Sequence, residues 1–455
     1  MKGKGGMTMN RREFTSVGSS SAMMAASSQA GAQSPSVTHA EAAPEGKPPL
    51  FPDNAQFWYE TRRAFGAASY GASEFGEVLV TASRIKSGDF DSWYEEWNRV
   101  AEKVAREAAD QLAHGHRISG RDSFLRAATY YCASEFFLHG NPRDPRITSA
   151  YQKSVECYKA CAKLFDPPIE PVEIPYENTT LPGYFHRVDH SDRKRPLLII
   201  HSGFDGGSAQ EVHDSGARAA VERGYNVLAF DGPGQFGPIH REGLPFRPDW
   251  EKVVTPVVDF ALTLPGVDPG KIALMGISIG GELAPRAAAF EKRIAALIAN
   301  DGIYDYGAAN LTHVPAELRV AFLQMLAAKE APQVDQMIEA GMKASPTAAW
   351  GVTHGMYAMG VPTPRAYLAA AQDYNLRNGI AEAISCPTLV CEAEGDIFCK
   401  GQPQELFDHL TCPKTFMLFT ESEGAGAHCQ VGAGRLALAR MYDWLDETFR
   451  VDGRS

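Results

Sequence analysis

The chain has 455 residues, a formal net charge of −11, and 44% hydrophobic against 22% charged residues. That is an ordinary globular mixture, long enough to bury its own core and to hold two domains and a tail. The acidic balance and scattered basic residues exclude a nucleic-acid footprint, and no stretch reaches the ~18 consecutive apolar residues of a membrane span.

The first residues, MKGKGGMTMNRREFTS, place Arg11-Arg12 and Phe14 ahead of a soft apolar run rich in Ala, Ser and Met. Ala30-Gly31-Ala32 follows as a small-residue cleavage site. The pattern predicts a twin-arginine-type signal over residues 1–32 and export, to the periplasm or beyond, of a folded protein. Residues 33–50, rich in Pro, Ala and Glu, predict a flexible linker.

Residues 51–166 read as a helical domain. SWYEEWNRVAEKVAREAADQLAHG carries apolar residues at three- and four-residue spacing, with Asp89 or Asp91 placed to cap it. SFLRAATYYCASEFFLHG closes at Gly140-Asn141-Pro142, and ITSAYQKSVECYKACAKLF ends before Asp166-Pro167-Pro168. Tyr130, Tyr131, Phe136 and Phe137 are expected to pack between these helices. Eight cysteines occur without a paired CxxC arrangement, so no zinc site is expected from them, and Cys157 and Cys161 read as two buried thiols.

From residue 167 to 455 strand and helix patterns alternate. RPLLIIHSG, YNVLAFDGPG, KIALMGISIGG, PTLVCEAEGD and KTFMLFT are apolar runs, most ending in Gly-rich loops, with SGARAAVERG and GELAPRAAAF helical between them. Such alternation predicts an α/β protein with a mostly parallel sheet covered on both faces, its chemistry at the strands' carboxy ends. Between about 303 and 377 a helical, Met-rich stretch interrupts the rhythm and predicts an inserted lid over an apolar pocket.

Gly276-Ile277-Ser278-Ile279-Gly280 fits G-x-S-x-G, directly after one predicted strand and before a helix. That context is the nucleophile elbow of the α/β-hydrolase fold, and it designates Ser278 as nucleophile. A serine hydroxyl needs a base held by an acid, in the chain order Ser, Asp or Glu, then His. Asp396 follows the strand PTLVCEA and His428 lies in GAGAHCQVGAG after the strand KTFMLFT. Glu394 competes with Asp396. His409 reads as a surface residue, His354 as part of the lid, and His201 as the end of its strand bracing the next loop. The oxyanion donors expected are the backbone amides of Ile279 and Phe204.

These segments, together with GDFDSWYEEW, HSGFDGGSAQE, FDGPGQF and AHCQVGAG, resemble α/β-hydrolases similar to 2,6-dihydroxypseudooxynicotine hydrolase and the fungal hydrolases that shorten polyketide pigment precursors. The resemblance spans about residues 55–450. It implies a helical domain packed over the catalytic one, a Ser278-His428-Asp396 triad, and cleavage of a carbon–carbon bond next to a ketone in a small carbonyl substrate. It also allows a homodimer contact through the helical domain. A carboxylesterase is the alternative within enzymes, since the same triad serves both reactions. An acyltransferase or a non-catalytic binding relative lies further off. No cofactor or metal is implied: DGPGQF lacks the G-x-x-x-x-G-K pattern of a phosphate loop.

Overall fold

The structure, a computed structural model, describes residues 48–207, 213–328 and 330–451. The predicted signal peptide and all but the end of the predicted linker lie outside them.

Five helices come first: α1 (Ala55–Gly66), α2 (Phe75–Ala82), α3 (Phe90–Ala113), α4 (Arg117–Glu135) and α5 (Pro145–Ala162). Their starts are chemically marked. Asn54 accepts the Phe57 amide, Asp89 accepts that of Ser92 at 2.9 Å, and Asp144 precedes a proline in the first turn of α5. The apolar stripes meet in an aromatic cluster. Phe57 lies 4.8 Å from Trp93 and 4.9 Å from Phe137, and Phe137 stacks on Phe90. Tyr130, Tyr131, Phe136 and Phe137 are all buried, as their density in the sequence leads one to expect.

The sheet has eight strands: β1 (Glu170–Tyr176), β2 (Thr179–His186), β3 (Arg195–His201), β4 (Asn226–Phe230), β5 (Val267–Ile277), β6 (Ala296–Asn300), β7 (Thr388–Ala393) and β8 (Lys414–Phe419). Their spatial order is β1-β2-β4-β3-β5-β6-β7-β8, with β2 antiparallel to both neighbours and every other pairing parallel. This is the α/β-hydrolase fold. Five of these strands are plain in the sequence; β1, β2 and β6 are not. Pro171, Pro175, Pro182 and Gly183 punctuate the first two, and β6 is a run of only five residues.

Strand alternation divides the core. Leu197, Ile199, Leu274 and Leu297 face a cluster continuous with the aromatic core of α1–α5. Leu198, Ile200, Met275 and Ile298 face the opposite cluster, closed by the last helix, Gly434–Phe449. The described residues from the amino-terminal helices to the carboxy end belong to one compact unit.

Between β6 and β7 run five helices, Tyr306–Ala309, Ala316–Ala327, Pro332–Ala344, Pro346–Ala358 and Pro364–Ala371, three of them opening on a proline. They fill the expected insertion, and part of it closes on its own small core of Leu311, Phe322, Leu326, Ala331 and Val334. Among the described residues no helix is long and apolar enough to cross a membrane.

Candidate active site

Strand β5 ends at Ile277, and the helix Gly280–Phe290 begins three residues later. Ser278 takes the turn with φ of 62°, a left-handed conformation that costs a residue carrying a Cβ and persists only where its surroundings impose it. Those surroundings admit only glycine. A Cβ at Gly276 would collide with the Gly280 carbonyl, one at Gly281 with the Asp301 carbonyl, and one at Gly280 would stand 2.8 Å from Ser202 O.

Seven strands running the same way deliver their following loops to the same edge of the sheet. The loop after β8 carries His428 in a short turn in which Cys429 and Gln430 have φ of 52° and 54°. His428 Nε2 lies 2.9 Å from Ser278 Oγ, and His428 Nδ1 lies 2.8 Å from Asp396 Oδ2. Asp396, in the loop after β7, turns its other oxygen to the amides of Phe398 at 2.7 Å and Cys399 at 3.1 Å. The sequence-designated serine, histidine and aspartate are thus brought into one hydrogen-bonded chain. Glu394, the rival acid, is exposed and accepts the Glu421 amide at 2.8 Å instead. His409 pairs with Glu382 at 2.7 Å, away from this chain. His201 is buried at the end of β3, its Nδ1 on Ser202 O at 2.9 Å, and burial holds its pKa down to about 4.

A carboxylate absent from the sequence reading also reaches the histidine. Asp301, directly after β6, has Oδ2 3.2 Å from His428 Nδ1 and also accepts the Cys429 amide at 2.7 Å. Its Oδ1 takes Gln430 Nε2 at 2.8 Å. The two acids are unlike. Burial raises the Asp301 pKa, with His428 opposing. Burial acts the same way on Asp396, but His428 and the two backbone amides overcome it, so its pKa is lowered and it carries the negative charge. Burial disfavours a charged His428, yet Asp396 and the hydrogen bond to Asp301 lift its pKa well above the ordinary histidine value. A strand-end aspartate in ALIANDG was the available signal for Asp301, and it is lost once β6 is missed.

The loop after β3 lies against the elbow: a Cβ on Gly203 would stand 2.8 Å from Ser278 Cβ and 2.9 Å from Ile279 N. The Ile279 and Phe204 amides have no hydrogen-bond partner among the described residues, which leaves them available to an anion. Two side chains brace this loop. Gln235 donates to Ser202 O while its oxygen accepts the Gly232 amide, and His354 Nε2 sits 2.8 Å from Phe204 O. Burial, with neighbouring His139 adding to it, holds the His354 pKa down to about 4, so the ring is neutral. Helix α1 also reaches the site: Tyr59 donates its hydroxyl to His428 O at 3.3 Å, and Phe398 stands edge-on to the His428 ring.

A sequence signature described as the Alpha/beta hydrolase family matches residues 197–431. Hydrolase LUC6 of a Fusarium species is 33% identical over 425 residues, covering 88% of this chain and 98% of its own. The 20-hydroxy-prefusarin hydrolase FUS2 of Gibberella moniliformis is 34% identical over 409 residues, covering 87% and 97%. Among solved structures, 2,6-dihydroxy-pseudo-oxynicotine hydrolase superposes with a TM-score of 0.64 at 22% identity, over 84% of this chain and 95% of its own.

Proposed function

The chain belongs to the α/β-hydrolase family, and from that premise we propose that it is a serine hydrolase in which Ser278 attacks a carbonyl carbon, His428 moves the proton and Asp396 orients the imidazole. The observation that carries this reading is the continuous chain Ser278 Oγ–His428 Nε2, 2.9 Å, and His428 Nδ1–Asp396 Oδ2, 2.8 Å.

His428 takes the hydroxyl proton as Oγ bonds to the carbonyl carbon, and the Ile279 and Phe204 amides hold the resulting oxyanion. Collapse of that intermediate breaks the bond to the leaving group, which receives the proton from His428. Water, deprotonated by the same ring, then releases the acid and restores the serine. The inferred substrate is a small β-dicarbonyl or acyl-aromatic compound, cleaved at the carbon–carbon bond next to a ketone. The departing carbon is stabilised as an enolate before protonation. This choice rests on the resemblance of the helical segments and of AHCQVGAG. The relative named 20-hydroxy-prefusarin hydrolase supports a small organic substrate. We further infer that residues 1–32 direct export, which sequencing the amino terminus of periplasmic protein would check.

The deciding experiment compares the wild type with Ser278→Ala on β-diketones and p-nitrophenyl esters, following both products. Diketone turnover with little ester activity, abolished in the variant, is the expected result. Fast ester turnover alone makes the protein a carboxylesterase. Activity that survives loss of Ser278 overturns the mechanism.

A further inference from the structure

Behind the oxyanion loop, Glu135 at the end of α4, His139 one turn later and His240 of the helix Phe236–Glu242 converge. Their orientation is fixed by neighbours. The Phe204 carbonyl can only accept, so neutral His354 donates to it through Nε2–H and accepts at Nδ1. His139 therefore donates Nδ1–H to His354 at 2.9 Å, and its Nε2 faces Glu135. The Phe236 carbonyl takes the Nδ1 proton of His240 at 2.6 Å, and His240 Nε2 faces the same carboxylate. Glu135 Oε2 lies 2.8 Å from His139 Nε2 and 3.7 Å from His240 Nε2. All three atoms are buried, and none has a well-directed hydrogen bond among the described residues.

Three buried atoms of ligand type lie within 4.8 Å of one another without a well-directed hydrogen bond, the arrangement of a donor set around a cation. We propose that Glu135 Oε2, His139 Nε2 and His240 Nε2 bind a divalent first-row transition cation, with Zn2+ the fitting member. Two imidazole nitrogens and a carboxylate oxygen suit that class of ion. Tetrahedral bonds of about 2.0–2.1 Å put ligand atoms roughly 3.3 Å apart, between the two separations measured. The same residues, with Phe204 and Asp205, border a void of about 10 Å³, the size of a single bound ion or water. Each histidine has its second nitrogen fixed by an acceptor, as ligating histidines do. The ion would tie the amino-terminal helices to the helix after β4 and, through His139 and His354, to the carbonyl of Phe204. The proposal is independent of how Ser278 acts, because its readout is metal content.

The test is elemental analysis of wild-type protein produced with zinc supplied and dialysed without chelator, followed by replacement with Co2+. About one equivalent of zinc per chain and visible ligand-field absorption from the cobalt form are expected. Both should fall to background in His240→Ala and in Glu135→Gln, and both should persist in His409→Ala. If the variants do not fold, the wild type alone still decides, through its zinc content and a drop in Tm on exposure to a strong chelator. Background zinc in the wild type with no cobalt absorption, or a full equivalent retained in His240→Ala, overturns the site and leaves a buried Glu135–histidine ion pair.

Discussion

At His428 two carboxylates compete for one ring nitrogen, and their environments separate them. Asp396 is closer and keeps its charge; Asp301 is farther, and burial favours its protonated form. Asp396→Asn is expected to lower kcat by roughly 10³–10⁴-fold, the usual consequence of losing the acid that fixes the base's tautomer. Asp301→Asn should cost less, because its main partners are Cys429 and Gln430 in the loop that holds the histidine. The pH profile gives a second readout. On the proposed mechanism His428 must be neutral to act as base, so activity is expected to rise as pH climbs through its pKa, which stands well above the ordinary histidine value. In Asp396→Asn that rising limb should move to lower pH while the plateau drops; an unmoved limb would mean another group sets it. The sequence offers Ser278, Asp396 and His428 as candidates because each sits in a Gly-rich turn after an apolar run. Asp301 was not, because its claim on His428 exists only once β6 lies between β5 and β7.

The helix Gly280–Phe290 carries, one turn behind the serine, a fully buried Glu282 with neither carboxyl oxygen hydrogen-bonded among the described residues. Burial pushes its pKa up to about 8 from the ordinary 4.5, with Arg286 opposing and Asp305 adding. An unfolded chain releases that proton near 4.5 while the folded chain holds it until about 8. Between those values the unfolded state binds fewer protons, so this group makes stability fall as pH rises. Glu282→Gln, neutral at every pH, is expected to lose that part of the slope. Its midpoint in urea should gain on the wild type at pH 8 relative to pH 5. Parallel midpoints across that range would show that Glu282 titrates normally. Element by element, what was legible followed local chemistry. Asp89 announces its helix, whereas β1 and β2 are strands through pairing with neighbours, against their own prolines. The Glu135, His139 and His240 cluster is a third case, joining residues about a hundred positions apart with no shared motif.

Across the whole molecule, the amino-terminal helices share one hydrophobic cluster with a face of the sheet. The seam is dense: Phe136 stacks on Trp350 at 5.1 Å, Tyr158 meets Tyr184 at 4.8 Å, and Arg63 pairs with Asp205 at 3.1 Å. A shared core of this kind unfolds cooperatively, so calorimetry should show a single transition. A chain beginning at residue 167 should be insoluble, having lost the cover over one sheet face; two resolved transitions would show that the halves fold separately. The sequence marks the change from helical to alternating pattern clearly. That the two patterns share a core is not written in either, because it depends on which apolar faces meet.

That shared core bears on how the protein is made. Helices α1–α5 leave the ribosome well before the strands and the inserted helices whose side chains cover Phe136, Tyr158 and their neighbours exist. A growing chain therefore displays a sticky aromatic surface throughout the synthesis of its catalytic half, and pauses in translation there prolong the exposure. Chaperone demand for this protein is set less by its final stability than by the order in which its halves are born.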